Sequence, residues 1–330
     1  MLKLGTIAGS FFELLNRINT EGLTASLEKV DERRVLRAIS LAPQNDIPAL
    51  FSRAAQGLLE KMAQRANRIT LARFGRAVNL YAPLYLSNSC VNRCSYCGFA
   101  AHRQIPRIEL DSAEALEQAD FLLRQGIRHL LLVTGEDRRS YGLERILEIS
   151  RLLRPRVASL SVEIFPCSEE EYRLLAAAGV DGVVLYQETY QRAVYDSVHR
   201  GPKKDFLRRL GAIEASARAG MRTLGVGVLL GLAEPRLDAC LLAMHAIWLQ
   251  ARFPGVRIAV SFPRMRPVEG GLPVQHEVDD SLLVQLVVAM RILLPDAELV
   301  LSTREPASLR DRMLPLGITR VSAGSRTTPG

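Results

Sequence analysis

Three of the chain's five cysteines lie within eight positions of one another, in the stretch SNSCVNRCSYCGFA that covers residues 87–100. Cys90, Cys94 and Cys97 have the spacing C-x3-C-x2-C, a loop short enough to surround one small inorganic centre. Thiolates are soft ligands that suit zinc and iron–sulfur clusters. A structural zinc site takes four protein ligands, and the nearest fourth candidate is His102. A four-iron cluster held by three cysteines would instead leave one iron open to a ligand, so both kinds of metal site stay open here.

The composition is that of an ordinary globular protein, with 330 residues of which 48% are hydrophobic. No stretch of about 18 residues is apolar and free of charge, and Glu13 and Arg17 interrupt the first apolar run, so we expect neither a membrane span nor a secretory signal. These features predict a cytoplasmic protein, in which clustered cysteines more often bind metal or do redox chemistry than form disulfides. The net charge of +8 is scattered along the chain, so no nucleic-acid-binding arm is expected.

The elements that would position the cysteines form two segments. Residues 1–75 have helical periodicity and predict an N-terminal helical extension, whereas residues 76–330 alternate short apolar strands with longer amphipathic helices. The predicted strands are 78–86, 129–135, 159–165, 182–188, 223–231, 257–263, 298–303 and 318–323. The predicted helices between them are at about 112–126, 141–153, 168–179, 205–220, 236–252, 279–294 and 306–315.

This alternation predicts an α/β fold with a parallel sheet that is buried on both faces. Eight strands favour a closed (β/α)8 barrel of the TIM type over an open sheet. The sequence stops a few residues after the eighth strand, so we expect the last helix of the barrel to be missing.

In such a barrel the cysteines follow the first strand, at the C-terminal mouth where barrel chemistry gathers. Glu136 follows the second strand, where its carboxylate could accept hydrogen bonds from a ligand or cap a helix. Glu163 lies on the third strand between two apolar residues, and an inward carboxylate is costly to bury unless it is paired. Arg304 ends the seventh strand, where a guanidinium could hold a carboxylate with two hydrogen bonds. The mouth of the barrel is therefore expected to bind a polar ligand.

The cysteine motif, with Tyr96 before its last cysteine, resembles the signature of the radical S-adenosylmethionine (SAM) enzymes. The wider stretch PLYLSNSCVNRCSYCGFA resembles one branch of them, the aromatic amino acid lyases, and in particular the tyrosine lyases of thiamine biosynthesis. The similarity extends over nearly the whole chain, through LLLVTGE, VLYQETY, GVGVLLGL, SFPRMRP, LSTRE and VSAGSRTTPG.

The resemblance implies a 4Fe–4S cluster whose open iron binds the amino and carboxylate groups of SAM and passes one electron to the sulfonium. This reaction gives methionine and a 5′-deoxyadenosyl radical, which in the tyrosine lyases takes a hydrogen from L-tyrosine. The Cα–Cβ bond then breaks, and the products are 2-iminoacetate (dehydroglycine) and p-cresol. The partners implied are a low-potential donor of the flavodoxin or ferredoxin type and thiazole synthase, which would take up the imine.

Three alternatives stay open. The related tryptophan lyase and the tyrosine lyase of hydrogenase maturation belong to the same branch, and the choice between amino acids depends on a pocket that the sequence does not display. In another class, a zinc- or RNA-binding module would account for the basic charge and for a Cys3His site.

The resemblance assigns SAM to Tyr96, Glu136, Glu163, Arg209 and Gly227. Glu136 would accept hydrogen bonds from the ammonium, and Arg209 would meet the carboxylate. The adjacent Arg208 leaves the choice of arginine open, and a surface helical arginine is the alternative. The stretch that begins at Gly227 resembles G-x-L-x-G-x-x-E, the motif that backs the adenine, although plain packing would also explain its glycines.

For the amino acid substrate, the resemblance points to the ends of several strands. Arg304 and Ser322 would bind the carboxylate end of tyrosine, and Tyr85 would lie beside it. Gln187, in LYQETY, is a further candidate. Each of these side chains could instead be an ordinary residue of the barrel rim.

Overall fold

Eight parallel strands close into a single barrel, in which each strand pairs with the next along the chain and the last pairs with the first. The structure is a computed structural model, and it describes residues 9–41, 43–324 and 329. The strands are β1 (Asn79–Ser87), β2 (His129–Thr134), β3 (Ser159–Glu163), β4 (Gly182–Val184), β5 (Thr223–Gly227), β6 (Arg257–Ser261), β7 (Glu298–Leu301) and β8 (Arg320–Ser322). The predicted (β/α)8 barrel and all eight of its strands are thereby confirmed.

Helices surround this barrel and also precede it. Before β1 lie α1 (Phe11–Arg17), α2 (Thr20–Lys29), α3 (Glu32–Ser40), α4 (Ile47–Phe51), α5 (Arg53–Gly57) and α6 (Leu59–Phe74). Between strands lie α7 (Ser112–Arg124), α8 (Leu143–Leu153), α9 (Glu169–Ala177), α10 (Arg192–Val198), α11 (Phe206–Arg218), α12 (Pro235–Arg252), α13 (Asp280–Leu293) and α14 (Ala307–Met313). The sequence predicted seven of these eight inter-strand helices and missed α10.

Side chains alternate between the two faces of each strand, and this alternation decides what fills the barrel. On β1, Leu84 and Leu86 belong to the large core between strands and helices. Tyr81 and Tyr85 belong instead to a small cluster with Leu131 and its neighbours. The apolar runs therefore supply the outer core, while the positions between them put polar and aromatic groups inside the barrel.

The N-terminal helices pack against the barrel's own helices. The Gln285 Nε2 of α13 donates to the carbonyl oxygens of Leu50 and Ser52, at 3.1 and 2.9 Å. In addition, α6 lies against α13 and the turn at residues 314–316. The proposed boundary between residues 75 and 76 falls in the turn that links α6 to β1.

No helix follows β8 within the part of the chain that the structure describes. Among those same residues, none of the helices combines the length and the apolarity that crossing a membrane requires.

Candidate cluster and cofactor site

The three clustered cysteines lie on the loop that follows β1. Cys94 is buried and the other two are partly buried, and none of the chain's cysteines forms a disulfide. Two N–H groups point at the sulfurs: Phe99 N lies 3.4 Å from the Cys97 Sγ, and Asn92 Nδ2 lies 3.7 Å from the Cys90 Sγ. His102 is exposed. In the described part of the chain, no three His, Cys, Asp or Glu side chains are grouped so as to hold a single metal ion.

Neighbouring loops hold this cysteine loop by backbone contacts. Arg93 N donates to the Arg200 carbonyl at 3.0 Å, and Ser95 N donates to the Val198 carbonyl at 3.0 Å, so the segment after α10 lies along the loop. A β-carbon added at Gly135, just after β2, would lie only 2.1 Å from the Ser89 oxygen. Glycine is therefore required at this position, because β2 ends directly against the residue before the first cysteine.

Behind the loop, four charged side chains form an alternating chain. The Lys203 Nζ lies 2.7 Å from the Glu188 Oε1, and the same carboxylate is 3.8 Å from the Arg209 Nη2. The Arg209 Nη1 is 2.8 Å from the Glu136 Oε1. Arg209 is only 5% exposed, whereas Arg208 is exposed, so the structure resolves which arginine of the pair lies in the site.

The two cations among these four side chains keep the carboxylates of Glu136 and Glu188 ionised. Burial alone would raise the pKa of Glu136, but Arg209 and Lys203 outweigh burial and hold that pKa below its usual value. The pKa of Glu188 is lowered in the same way, against burial, by Lys203 and Arg209. The predicted Glu136 and Arg209 are thus brought together as a buried ion pair, with one oxygen of Glu136 also accepting from the Asn92 Nδ2 at 2.9 Å.

A second group of polar side chains lies inside the barrel. Glu163 ends β3, and burial, followed by the charge of Glu188, raises its pKa to about 7. Burial also raises the pKa of Tyr85 to about 12, with Glu163 acting in the same direction. The charge of Arg304 lowers both pKa values, so its guanidinium lies within electrostatic reach of both groups. The structure therefore brings three predicted residues from β1, β3 and the end of β7 to one region of the mouth.

The predicted Ser322 ends β8 beside this group. Its Oγ accepts a hydrogen bond from Thr303 N at 3.0 Å and lies 3.2 Å from the Thr303 Oγ1. Ser322 therefore also shapes the turn that carries Arg304.

Gly227 ends β5 at a place with no room for a side chain. A β-carbon there would approach the Ser261 carbonyl oxygen to 2.7 Å and the Tyr186 ring to 2.8 Å. Gln187 is 4% exposed, and its Nε2 has no hydrogen-bond partner among the described residues. Leu185 packs in the outer core, and Gln187 N donates to the Gly227 carbonyl at 3.2 Å, so the backbone still runs along β5 after β4 has ended. The role predicted for Gln187 stays a prediction.

Sequence reasoning missed several residues that build this site. Glu188, Asn92 and Lys203 join the cysteine loop to the ion pairs, and the His199 Nε2 lies 2.8 Å from the Tyr96 hydroxyl. The sequence carried no clear signal for Lys203, because Arg200, Gly201 and Lys204 around it are exposed, as in an ordinary charged surface loop. Nothing in the sequence identified Glu188 as its partner.

Comparisons with known proteins agree with this arrangement. Residues 84–238 match the model of the radical SAM superfamily, and residues 261–330 match that of the Biotin and Thiamin Synthesis associated domain. The 2-iminoacetate synthase of Escherichia coli (strain K12) is 44% identical over 316 residues, which cover 95% of this chain and 82% of that protein. The 2-iminoacetate synthase of Salmonella typhimurium (strain LT2) is 42% identical over the same shares.

Solved structures are similar as well. A crystal structure of HydG, a maturase of the FeFe-hydrogenase, superimposes with a TM-score of 0.87 at 29% identity and covers 95% of this chain and 73% of HydG. The structure of HydG from Carboxydothermus hydrogenoformans superimposes with a TM-score of 0.82 at 31% identity. The match covers 96% of this chain and 75% of that HydG chain. The barrel with its three-cysteine loop is that of a radical SAM enzyme. Within this superfamily the chain belongs to the family of the 2-iminoacetate synthases, and it is a radical SAM lyase.

The residues present fit the cluster and the SAM that radical SAM enzymes use. In a four-iron cluster each cysteine binds a different iron, so the three sulfurs do not need to converge on one point. Hydrogen bonds to the sulfurs, such as that from Phe99 N, are among the features that tune such clusters. Burial raises the pKa of Cys94 to about 12, so its thiol is protonated without a metal. Binding of a metal would displace this proton, because cysteine binds metals as the thiolate.

Proposed function

We propose that this chain cleaves the Cα–Cβ bond of L-tyrosine to 2-iminoacetate and p-cresol, and converts SAM to 5′-deoxyadenosine and methionine, for thiamine thiazole biosynthesis. The observation that carries the proposal is the position of the cysteine loop. The loop contacts both groups of polar side chains: the Lys203 ammonium lies 5.8 Å from the centroid of the Tyr96 ring, and Tyr85 lies edge-on to Phe99 with ring centroids 6.0 Å apart. A cofactor and a substrate would thus meet beside the loop.

Cys90, Cys94 and Cys97 would hold the 4Fe–4S cluster. When bound, the cluster supplies the electron that splits the sulfonium of SAM. Glu136 would accept hydrogen bonds from the ammonium of SAM and Arg209 would donate to its carboxylate, because both side chains are ionised and held in place by protein partners. Charge-assisted hydrogen bonds of this kind are roughly twice as strong as neutral ones.

Glu163, Gly227 and Tyr96 complete the proposed SAM site in different ways. Glu163 would accept hydrogen bonds from the cofactor's polar groups inside the barrel. Gly227 would allow the adenine to approach the backbone of β5. Tyr96, which bonds His199, would support the loop between the last two cysteines.

The amino acid would be bound at the ends of β1, β7 and β8. The Arg304 side chain has no hydrogen bond or ion pair within the described chain, so its guanidinium is free to bind the tyrosine carboxylate. Ser322 would add a hydroxyl, and Tyr85, which lies edge-on to Phe99 with ring centroids 6.0 Å apart, would form an aromatic wall.

The partners are part of the proposal. An external donor of the flavodoxin or ferredoxin type would reduce the cluster, and thiazole synthase would take up the unstable imine. The identity with the two 2-iminoacetate synthases, 44% and 42%, is higher than that with the two HydG structures, 29% and 31%, and this favours the thiamine role over hydrogenase maturation.

The test is anaerobic reconstitution of the chain with iron and sulfide, followed by incubation with SAM, dithionite and either tyrosine or tryptophan. We expect about four irons per chain, and p-cresol from tyrosine with no fragment from tryptophan. A fragment released from tryptophan alone would replace the tyrosine assignment with the tryptophan lyase, and zinc without acid-labile sulfide would overturn the cluster.

The matched controls are two cysteine variants. Cys94→Ala removes a proposed cluster ligand and should abolish formation of 5′-deoxyadenosine. Cys240→Ala removes a buried cysteine of α12 and should leave that reaction intact. Retention of SAM cleavage by Cys94→Ala would contradict the assignment of the loop.

A further inference from the structure

Lys203 is a buried cation beside the cysteine loop. Its side chain is 12% exposed, its ammonium nitrogen lies 5.8 Å from the centroid of the Tyr96 ring, and Tyr96 lies directly between Cys94 and Cys97. Its backbone N donates to the Asn92 Oδ1 at 2.8 Å, and Asn92 reaches the Cys90 Sγ with its amide. Lys203 is therefore tied to the loop through both its backbone and its side chain.

The partner of Lys203 is held by an uncommon backbone conformation. Glu188 has φ of 72°, the only positive φ at a non-glycine residue in the described chain. Such a conformation costs of order 1–3 kcal/mol and persists where surrounding structure imposes it, often at functional sites. Here Glu188 lies four residues after the end of β4, and its carboxylate lies between Lys203 and Arg209. The position of this ion pair is thus built into the backbone.

The alternating chain of four groups is electrically balanced. Lys203 and Arg209 contribute two positive charges, and Glu136 and Glu188 contribute two negative charges. Loss of the lysine charge would leave a net negative charge in a buried region, where water screens charges poorly. Loss of the Glu188 charge would leave a net positive one.

Lys203 and Glu136, at the two ends of the alternating charges, meet the cysteine loop at different places. The Lys203 ammonium faces the ring of Tyr96, the residue between Cys94 and Cys97. Glu136 meets the loop at Asn92, whose amide bonds both this carboxylate and the Cys90 Sγ. The cation therefore lies at the segment that carries two of the three proposed ligands.

We propose that the buried ammonium of Lys203 raises the reduction potential of the cluster bound by the three-cysteine loop. One-electron reduction adds a negative charge to the cluster, and a nearby fixed cation stabilises that charge. The electron comes from the external low-potential donor, and Lys203 itself takes no part in the electron transfer. This inference rests on the cluster assignment of the proposed function.

The test compares four variants that are reconstituted anaerobically and held without SAM. Lys203→Met removes the charge and keeps the side-chain stem, Lys203→Arg keeps the charge, and Glu188→Gln removes the opposite charge. Lys204→Met is the matched control, because the adjacent Lys204 is exposed. The cluster is titrated with dithionite in the presence of redox mediators, and the reduced form is quantified by electron paramagnetic resonance.

We expect Lys203→Met to lower the equilibrium constant for one-electron reduction of the cluster by at least about tenfold. For one electron this corresponds to a midpoint potential about 59 mV lower. Glu188→Gln should shift the potential in the opposite direction, while Lys203→Arg and Lys204→Met should match the parent. A general disturbance of the loop would instead shift the midpoint potentials of Lys203→Met and Glu188→Gln in the same direction, and this result would overturn the inference.

An unchanged potential in Lys203→Met with its full iron content overturns the inference. If Lys203→Met does not retain its cluster, the test depends on Glu188→Gln alone. A midpoint potential of Glu188→Gln that is lower than or equal to that of the parent then overturns the inference. Failure of the proposed function is distinguishable, because it would appear as a parent chain with no four-iron cluster to titrate.

Discussion

The surroundings of Arg304 support the substrate-binding role proposed for it. The neighbouring Arg266 and Arg264 both make ion pairs with Glu305, whereas the Arg304 guanidinium has no partner among the described residues. Its charge nevertheless acts on Tyr85 and Glu163 inside the barrel. A cation without a protein partner at the mouth of a barrel is suited to binding an anionic ligand.

We therefore expect Arg304→Ala to raise the KM for tyrosine by about 10- to 100-fold, the range that corresponds to a lost hydrogen bond to a charged group. Arg304→Lys should recover part of this loss, because it keeps the charge without the two-pronged geometry. The exposed Arg312 on α14 provides the matched control, and Arg312→Ala should leave KM unchanged. Steady-state p-cresol formation at equal cluster content measures the effect, and an unaltered KM in Arg304→Ala would remove this residue from the substrate site.

Residue types and spacing predicted part of the candidate site, whose residue roles stay predictions. The three cysteines were recognisable because one loop carries all of them, and Glu136 and Arg304 because they directly follow predicted strands. Lys203 and Glu188 were not recognisable, since their pairing depends on the left-handed backbone of Glu188 and on how two separate loops meet. The choice between Arg208 and Arg209 likewise required the rotation of α11 relative to the barrel.

At the scale of elements, apolar runs predicted the strands because a parallel barrel buries both faces of its sheet. Capping side chains define the starts of two predicted helices: Asp111 and Ser168 each form a capping box at the beginning of α7 and α9. The short α10 was missed because its seven residues have neither a capping side chain nor a clear period. The end of α10 and the segment after it are held by hydrogen bonds to the cysteine loop, which the local sequence does not display.

Asp238 joins two of these elements and permits a prediction about pH. This buried carboxyl in the first turn of α12 accepts hydrogen bonds from the Thr189 hydroxyl and Tyr190 N, at 3.0 and 2.9 Å. Burial outweighs those bonds and raises the pKa of Asp238 to about 7. Because the folded state holds this proton more tightly than the unfolded state, the stabilisation is present at low pH and is lost as the pH rises from about 4 through 7.

Asp238→Asn keeps an acceptor oxygen and cannot ionise, so it should be more stable than the parent at pH 8. The difference in the free energy of unfolding between Asp238→Asn and the parent should be more favourable to the variant at pH 8 than at pH 5, by roughly 2–3 kcal/mol. Urea unfolding at both values measures it, with Asp311→Asn on the exposed face of α14 as the control. A difference between variant and parent that does not change with pH would show that Asp238 is already ionised in the folded protein.

At the scale of the whole molecule, the barrel depends on the charged groups that fill its mouth. Arg209 on α11 bonds to the Tyr186 carbonyl after β4 and to Glu136 after β2, at 2.6 and 2.8 Å. It thereby links α11 to the segments after β2 and β4 through one side chain. An ion pair of this kind is weak evidence for added stability, but removal of one partner leaves a buried charge without compensation.

Arg209→Met should accordingly lower the free energy of unfolding by about 3–5 kcal/mol at pH 8, because Glu136 keeps its charge and loses its main partner. The loss should be smaller at pH 5, where the unpaired carboxylate can take up a proton instead of remaining charged. Arg208→Met removes an exposed arginine from the same helix turn and should change stability by no more than about 0.5 kcal/mol. Urea unfolding under anaerobic conditions without SAM measures all three chains. Equal destabilisation by the two substitutions would mean that α11 as a helix, and not the buried ion pair of Arg209, is what holds this side of the barrel together.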